Sequence, residues 1–157
     1  MIIVSNTSPI NYLILIGQID LLPELFRQIV IPQAVYSELS DRSAPKLVRT
    51  WIATPPDWLK IQPVSQASDG IIDLLDPGER AAILLARELN ADLLLLDDMK
   101  ARRAAKERGL SITGILGILD RAATMKLIDL PAAVQSLQNT SFWASDSLFQ
   151  RLLDKHT

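Results

Sequence analysis

Oxygen-bearing side chains stand beside several short apolar runs of this sequence. Asn6 follows the opening run MIIVS, and the pair Asp97 and Asp98 follows the run ADLLLL. Glu38 lies near the end of a helical pattern, and Glu79 lies in the first turn of the helical pattern that precedes ADLLLL. Amide and carboxylate oxygens are hard ligands suited to Mg²⁺ or Mn²⁺. Because clustered anions need cations nearby, these five residues form a candidate divalent-metal centre.

Each of these residues also has an ordinary structural explanation. Asn6 could cap the helix that follows it, and Glu79 could be placed to favour the positive end of a helix dipole. One residue of the Asp97–Asp98 pair is expected to be an N-cap. The other is harder to explain locally, because two adjacent anions repel each other. Glu38 lies three positions after Val35, at the border of an apolar stripe, where a solvent-exposed glutamate is common.

Several other kinds of active site are excluded by the residues that the chain contains. It has no cysteine, and its one histidine, His156, lies next to the last residue. Cleavage by paired histidines and a histidine-dependent triad are therefore not expected. The sequence contains neither GxxxxGK[ST] nor GxGxxG, and GILG at 114–117 is better explained by helix packing than by phosphate binding. Carboxylate and metal chemistry is what remains for an enzyme.

A basic segment, MKARRAAKERG, follows the paired acids directly. Lys100 and Arg103 are three positions apart, so they share a helix face if this segment is helical. Such residues could hold substrate phosphates beside a metal centre. The alternative is a solvated helix face with its basic residues near the negative end of the helix.

Composition limits the class of protein without naming a function. The chain has 157 residues, 48% hydrophobic and 5% aromatic, which predicts one globular domain over residues 1–157 with an aliphatic core. A net charge of −2 means that any nucleic-acid contact must be local. No signal peptide and no membrane span are predicted. We expect a cytoplasmic protein, which the absence of cysteine permits.

The elements that must position the candidate residues alternate between strands and helices. This alternation predicts an α/β fold, a three-layer α/β/α sandwich with a central parallel sheet. An irregular, mobile loop is expected over Val64–Pro77, and the chain is expected to be rich in helix from about residue 115. The predicted strands are Ile2–Ser5, Gln28–Ile31, Leu59–Val64 (at an edge), Asp92–Leu96 and Ser111–Thr113. The predicted helices are Pro9–Ile16, Leu21–Phe26, Pro32–Leu39, Ala44–Trp51, Gly78–Leu89, Asp98–Arg108, Ile115–Lys126, Pro131–Leu137 and Asp146–Leu153.

An ordered set of segments resembles a known family. VSNTSPI, IPQAVYSEL, LDPGERAAILLA and ADLLLLDDMKARRAAKERGL with TGILGIL behind it are similar, in this order, to segments of PIN-domain proteins. The similarity is greatest to the VapC-like group, which includes toxins of bacterial toxin–antitoxin pairs and uncharacterised relatives. The segments run from about residue 3 to residue 120, and their order and spacing are more specific than any one of them.

The resemblance implies a PIN-like fold and a ribonuclease that depends on Mg²⁺ or Mn²⁺. Such proteins carry acids at four places, which correspond here to Asn6, Glu38, Glu79 and Asp98, with Asp97 beside the last. It also implies RNA as the substrate, a homodimer and a small antitoxin as inhibitor. The first position is commonly Asp in PIN nucleases and is Asn6 in this chain, so the site has one negative charge fewer.

Two further functions are compatible with these residues. Asn6 favours a PIN-like module that binds RNA or a protein partner with impaired catalysis. A receiver-like α/β regulator also uses adjacent acids and Mg²⁺, and it would be phosphorylated on Asp97 or Asp98. That third interpretation leaves Glu38 and the segment GERAAILLA unexplained.

Overall fold

Five short parallel strands form the central sheet of the computed structural model, which describes residues 1–65, 70 and 74–157. The strands are β1 (Ile3–Ser5), β2 (Ile29–Pro32), β3 (Leu59–Gln62), β4 (Leu93–Leu95) and β5 (Ile112–Thr113). Their order across the sheet is β3-β2-β1-β4-β5, with every pair parallel. The first strand therefore lies at the centre, and the residue that follows it lies between the ends of β2 and β4.

Two of the described helices cover one face of the sheet. They are α5 (Pro77–Glu88) and α6 (Met99–Glu107), and their alanines and leucines pack with Val4, Leu94 and Leu96 in one buried cluster. Leu94 and Leu96 point to this face while Leu95 points to the other, as the period of two in a strand requires. The small alanine side chains of α5 and α6 pack directly against this face of the sheet.

The other face carries the larger core. The described helices there are α1 (Thr7–Leu15), α2 (Leu21–Phe26), α3 (Gln33–Ser40), α4 (Lys46–Ala53), α7 (Ile115–Thr124), α8 (Leu130–Gln138) and α9 (Asp146–Lys155). Fully buried side chains such as Ile10, Leu13 and Leu39 pack against Ile3, Ile31 and Leu95 of the sheet. The result is the predicted three-layer α/β/α sandwich.

The sequence predicted these elements to within about two residues at most ends. The edge strand is shorter than predicted and stops at Gln62, ahead of Pro63, which has no backbone N–H to donate to a ladder. Of the loop predicted over Val64–Pro77, residues 66–69 and 71–73 lie outside the described residues. Among the described residues, no helix is both long and apolar enough to cross a bilayer.

The strand order corrects one of the three functional interpretations. In a receiver-like sheet the first strand lies between the second and third, in the order 2-1-3-4-5. Here β2 and β3 lie on the same side of β1, so the receiver-like architecture is wrong. The adjacent acids of this chain must be explained within a different fold.

Candidate active site

Asn6 lies at the carboxyl end of the central strand. Its backbone N–H donates to the Leu95 carbonyl oxygen at 2.9 Å, and the residue is 4% exposed. Although Asn6 occupies the N-cap position of α1, its side chain makes no capping hydrogen bond. Its Oδ1 atom is buried and has no hydrogen-bond partner within the described protein. An amide oxygen buried in this way is costly unless a donor or a cation satisfies it.

Glu38 reaches towards the same edge from the last turn of α3. Its Oε1 accepts a hydrogen bond from the Thr7 hydroxyl at 2.8 Å, and the backbone N–H of Gly78 also acts as a donor to the Glu38 carboxylate. Burial raises the pKa of the Glu38 carboxyl, against the lowering effect of the Thr7 bond, and the charge of Asp76 raises that pKa further. Glu38 is therefore held by protein donors close to a second acid.

Glu79 and Asp76 form a capping box at the start of α5. The Asp76 carboxylate accepts from the Glu79 backbone N–H at 2.8 Å, and the Glu79 carboxylate lies 3.4 Å from the Asp76 backbone N. Burial raises the pKa of Glu79 to about 7, and the charges of Asp76, Asp98 and Glu38 each raise it as well. Three carboxylates thus act on Glu79 at this edge of the sheet.

The two adjacent aspartates have different roles in the structure. Asp98 is exposed and caps α6, where its Oδ1 accepts from the Ala101 backbone N–H at 2.9 Å. Its charge is among those that raise the pKa of Glu79, which places it with the other acids. One of the pair was expected to be an N-cap, and that residue is Asp98.

Asp97 is turned towards the other face of the sheet. Its Oδ1 accepts from the Ile115 backbone N–H at the start of α7 at 2.8 Å, and its Oδ2 accepts from the Ser8 hydroxyl at 3.2 Å. Burial raises the pKa of Asp97, while these two bonds and the charge of Arg102 lower it. Asp97 therefore connects three helices: Ser8 lies in α1, Arg102 in α6 and Ile115 in α7. Asp97 is not among the charges that raise the Glu79 pKa.

The predicted basic residues lie along α6, the helix that Asp98 caps. Lys100 and Arg103 are both exposed. Arg103 lines a shallow surface depression together with Met99 and Lys106. Their neighbour Arg102 also lines this depression, and its Nη1 donates to the Leu96 carbonyl oxygen at 3.2 Å. Lys100 and Arg103 are thus available to a ligand, whereas Arg102 contributes to the structure around Asp97.

Comparison with known proteins assigns the fold to a family. A family model described as DUF3368: PIN domain matches residues 2–157. This chain belongs to the PIN-domain family. A solved structure of a PilT N-terminus domain protein from the hyperthermophilic archaeon Sulfolobus solfataricus P2 is similar, with a TM-score of 0.53 and 19% identity. The alignment covers 92% of this chain and 100% of that one. No curated protein matches the sequence.

PIN domains have a nuclease-type fold and generally use divalent metal ions. The residues of this PIN domain fit such an ion in their chemistry: hard oxygen donors, mutually repelling carboxylates, and the buried Asn6 Oδ1 that has no donor. Among the described residues, no three acidic or histidine side chains are already arranged around one point as a metal cage. Each acid accepts a hydrogen bond from a protein donor, which positions it separately from the others. An ion would bind between these side chains.

Sequence reasoning missed three residues of this PIN-domain site. Asp76 lay in the predicted irregular loop, although the spacing Asp76-x-x-Glu79 matches a capping box and could have identified it. Thr7 and Gly78 were missed because both act on Glu38, which is 31 residues from the first and 40 from the second along the chain. No local pattern indicates contacts of that separation.

Proposed function

We propose that this PIN domain is an endoribonuclease that depends on Mg²⁺ or Mn²⁺. The observation that carries the proposal is the convergence of Glu38, Asp76 and Asp98 on Glu79, whose pKa their charges and its burial raise to about 7. Repulsion among these anions at the carboxyl edge of the sheet destabilises the folded protein, and a bound cation would relieve it. Acids with perturbed pKa values cluster at functional sites.

In this proposal Glu38, Glu79 and Asp98 hold the ion, with Asn6 offering its buried carbonyl oxygen. A divalent ion supplies a water of lowered pKa and positive charge against the leaving oxygen. Lys100 and Arg103, which are exposed on α6, would bind flanking phosphates and so position the RNA backbone without reading its sequence. Asp97 was predicted as a further ligand, but its bonds run to Ser8 and Ile115, and its charge is not among those that raise the Glu79 pKa, which favours a supporting role.

A second candidate is a PIN module that binds RNA or a protein without cutting. Asn6 favours it, because an amide at the centre of the site removes one negative charge and weakens attraction for a cation. Asn6→Asp separates the two candidates. A large gain of cleavage from an inactive parent would indicate a catalytically impaired module, whereas an active parent with little change would indicate that Asn6 suffices.

The expected partners follow from the proposed activity. We propose that the protein acts on RNA as a homodimer in the cytoplasm, as the toxin of a toxin–antitoxin pair held inactive by a small antitoxin. Growth arrest on expression, relieved by co-expression of a small neighbouring reading frame, would support this role. If cells grow normally while expressing a protein that cuts RNA in vitro, the toxin role is refuted and the proposed nuclease activity is not.

The deciding experiment measures cleavage of a structured and an unstructured RNA with Mn²⁺, with Mg²⁺ and with EDTA. The parent is compared with a Glu79→Ala Asp98→Ala double variant. Asp129→Ala is the matched control, because Asp129 caps α8 through the Ala132 backbone N–H just as Asp98 caps α6. Metal-dependent cutting that the double variant loses and the control keeps is the expected result. Equal cutting by all three proteins would refute the assignment.

A further inference from the structure

Glu38 is held from two directions by groups that come from different helices. The Thr7 hydroxyl, in the first turn of α1, donates to Glu38 Oε1 at 2.8 Å. The Gly78 backbone N–H, in the first turn of α5, donates to the same carboxylate. The Glu38 side chain thus bridges the beginnings of two helices that lie on opposite faces of the sheet.

Gly78 makes room for that carboxylate. A Cβ atom on this buried residue would lie 2.7 Å from Glu38 Cδ and 2.5 Å from Glu38 Oε1, closer than any real carbon contact. Any other residue at position 78 would therefore displace the Glu38 carboxylate or the start of α5. The first turn of a helix also presents free N–H groups and favours a negative charge, so it is a suitable place to fix a carboxylate.

We infer that Thr7 and Gly78 are positioning residues that fix the Glu38 carboxylate for the metal ion of the proposed function, on which this inference rests. A carboxylate accepts about four hydrogen bonds or ligand contacts, so two donors leave oxygen lone pairs free for a cation. A glutamate held in one rotamer loses less entropy on binding an ion than a free one. Supporting hydrogen bonds of this kind commonly change metal affinity about 10-fold to 100-fold.

Thr7 can be tested without changing the shape of its side chain. Thr7→Val removes the hydroxyl donor and keeps the volume, and Thr7→Ser keeps the donor. Mn²⁺ binding is measured by titration calorimetry on the protein without RNA, and thermal unfolding is measured in EDTA. We expect Thr7→Val to weaken Mn²⁺ binding at least about tenfold, with Thr7→Ser close to the parent. Gly78→Ala is expected to weaken binding at least as much.

The matched control is Thr140→Val. Thr140 is a part-buried threonine whose hydroxyl donates to the Leu137 carbonyl oxygen and accepts from the Phe142 backbone N–H. Loss of these two hydrogen bonds is expected to lower the unfolding temperature without touching a site acid. Mn²⁺ affinity that falls in Thr7→Val but not in Thr140→Val is therefore not a consequence of lower stability.

A double-mutant comparison shows whether Thr7 acts through Glu38. In a Glu38→Gln background the further change Thr7→Val is expected to alter Mn²⁺ affinity less than about twofold, because the carboxylate it positions is gone. A parent that binds Mn²⁺ and a folded Thr7→Val that binds it equally would overturn the inference and leave the proposed function standing. If Thr7→Val does not fold, unchanged Mn²⁺ affinity in Gly78→Ala has the same meaning. A parent protein that binds no Mn²⁺ would refute both the inference and the proposed metal-dependent function.

Discussion

Glu79→Gln is expected to abolish much of the loss of stability that this protein shows, in the absence of metal, between about pH 4.5 and about pH 7. In the folded protein, burial and the charges of Asp76, Asp98 and Glu38 raise the Glu79 pKa from 4.5 to about 7. Between these two values the folded protein keeps a proton that the unfolded chain has released. Stability therefore falls as pH rises through this range, because the unfolded state binds fewer protons.

The size of the effect follows from the difference between the two pKa values. At about 1.4 kcal/mol for each pH unit between them, the whole difference corresponds to roughly 3.5 kcal/mol. Solvent reaches part of this edge of the sheet and screens the charges, so we expect about 1.5 kcal/mol in practice. Gln keeps the size of the side chain and can take the Glu79 place in the capping box, so the cap itself is retained.

Urea unfolding followed by circular dichroism, at several pH values in EDTA, measures this difference. The parent curve is expected to decline towards alkaline pH more steeply than the curve of Glu79→Gln. Added Mg²⁺ should restore stability to the parent at high pH, since a bound cation favours the ionised carboxylates, and should do less for the variant. Parallel pH profiles in EDTA would refute the reasoning that the acids converge on Glu79.

Three further predictions test individual contacts. Asn6→Asp is expected to lower stability in EDTA, because it adds an anion to the cluster, and to tighten Mn²⁺ binding in calorimetry; higher stability in EDTA would contradict this. Asp98→Ala should cost about 1 kcal/mol of unfolding free energy through loss of the cap on Ala101, whereas Asp98→Asn should keep most of it in the same urea assay; equal losses would contradict the capping role. Leu13→Ala, in the fully buried core, should cost about 2–5 kcal/mol, and a loss below about 1 kcal/mol would contradict its packing.

The sequence predicted most of the fold because its elements are locally marked. Strands such as Ile3–Ser5 and Leu93–Leu95 are short apolar runs between polar residues, and α5 begins at the Pro-Gly-Glu segment that follows its cap. The ends of parallel strands meet at one edge of a sheet, so the positions of Asn6 and Asp98 could be predicted with them.

The candidate site could be predicted only in part, because its supporting contacts join distant segments. Asp97 has no local partner that explains it beside Asp98, because its bonds run to Ser8 and Ile115, which are 89 and 18 residues away. The contact between Glu38 and Gly78 likewise depends on how closely α3 and α5 approach. Such distances are set by packing over the whole sheet, and no pattern within one element encodes them.

The two edges of the sheet restrict how this PIN domain could associate with itself. At one edge β5 is two residues long, and at the other β3 carries the exposed Lys60 and is followed at once by Pro63. A short strand, an edge lysine and a proline all oppose the addition of a further strand. If the protein forms the homodimer proposed above, we therefore expect the two copies to meet through their helices and not through an extended sheet.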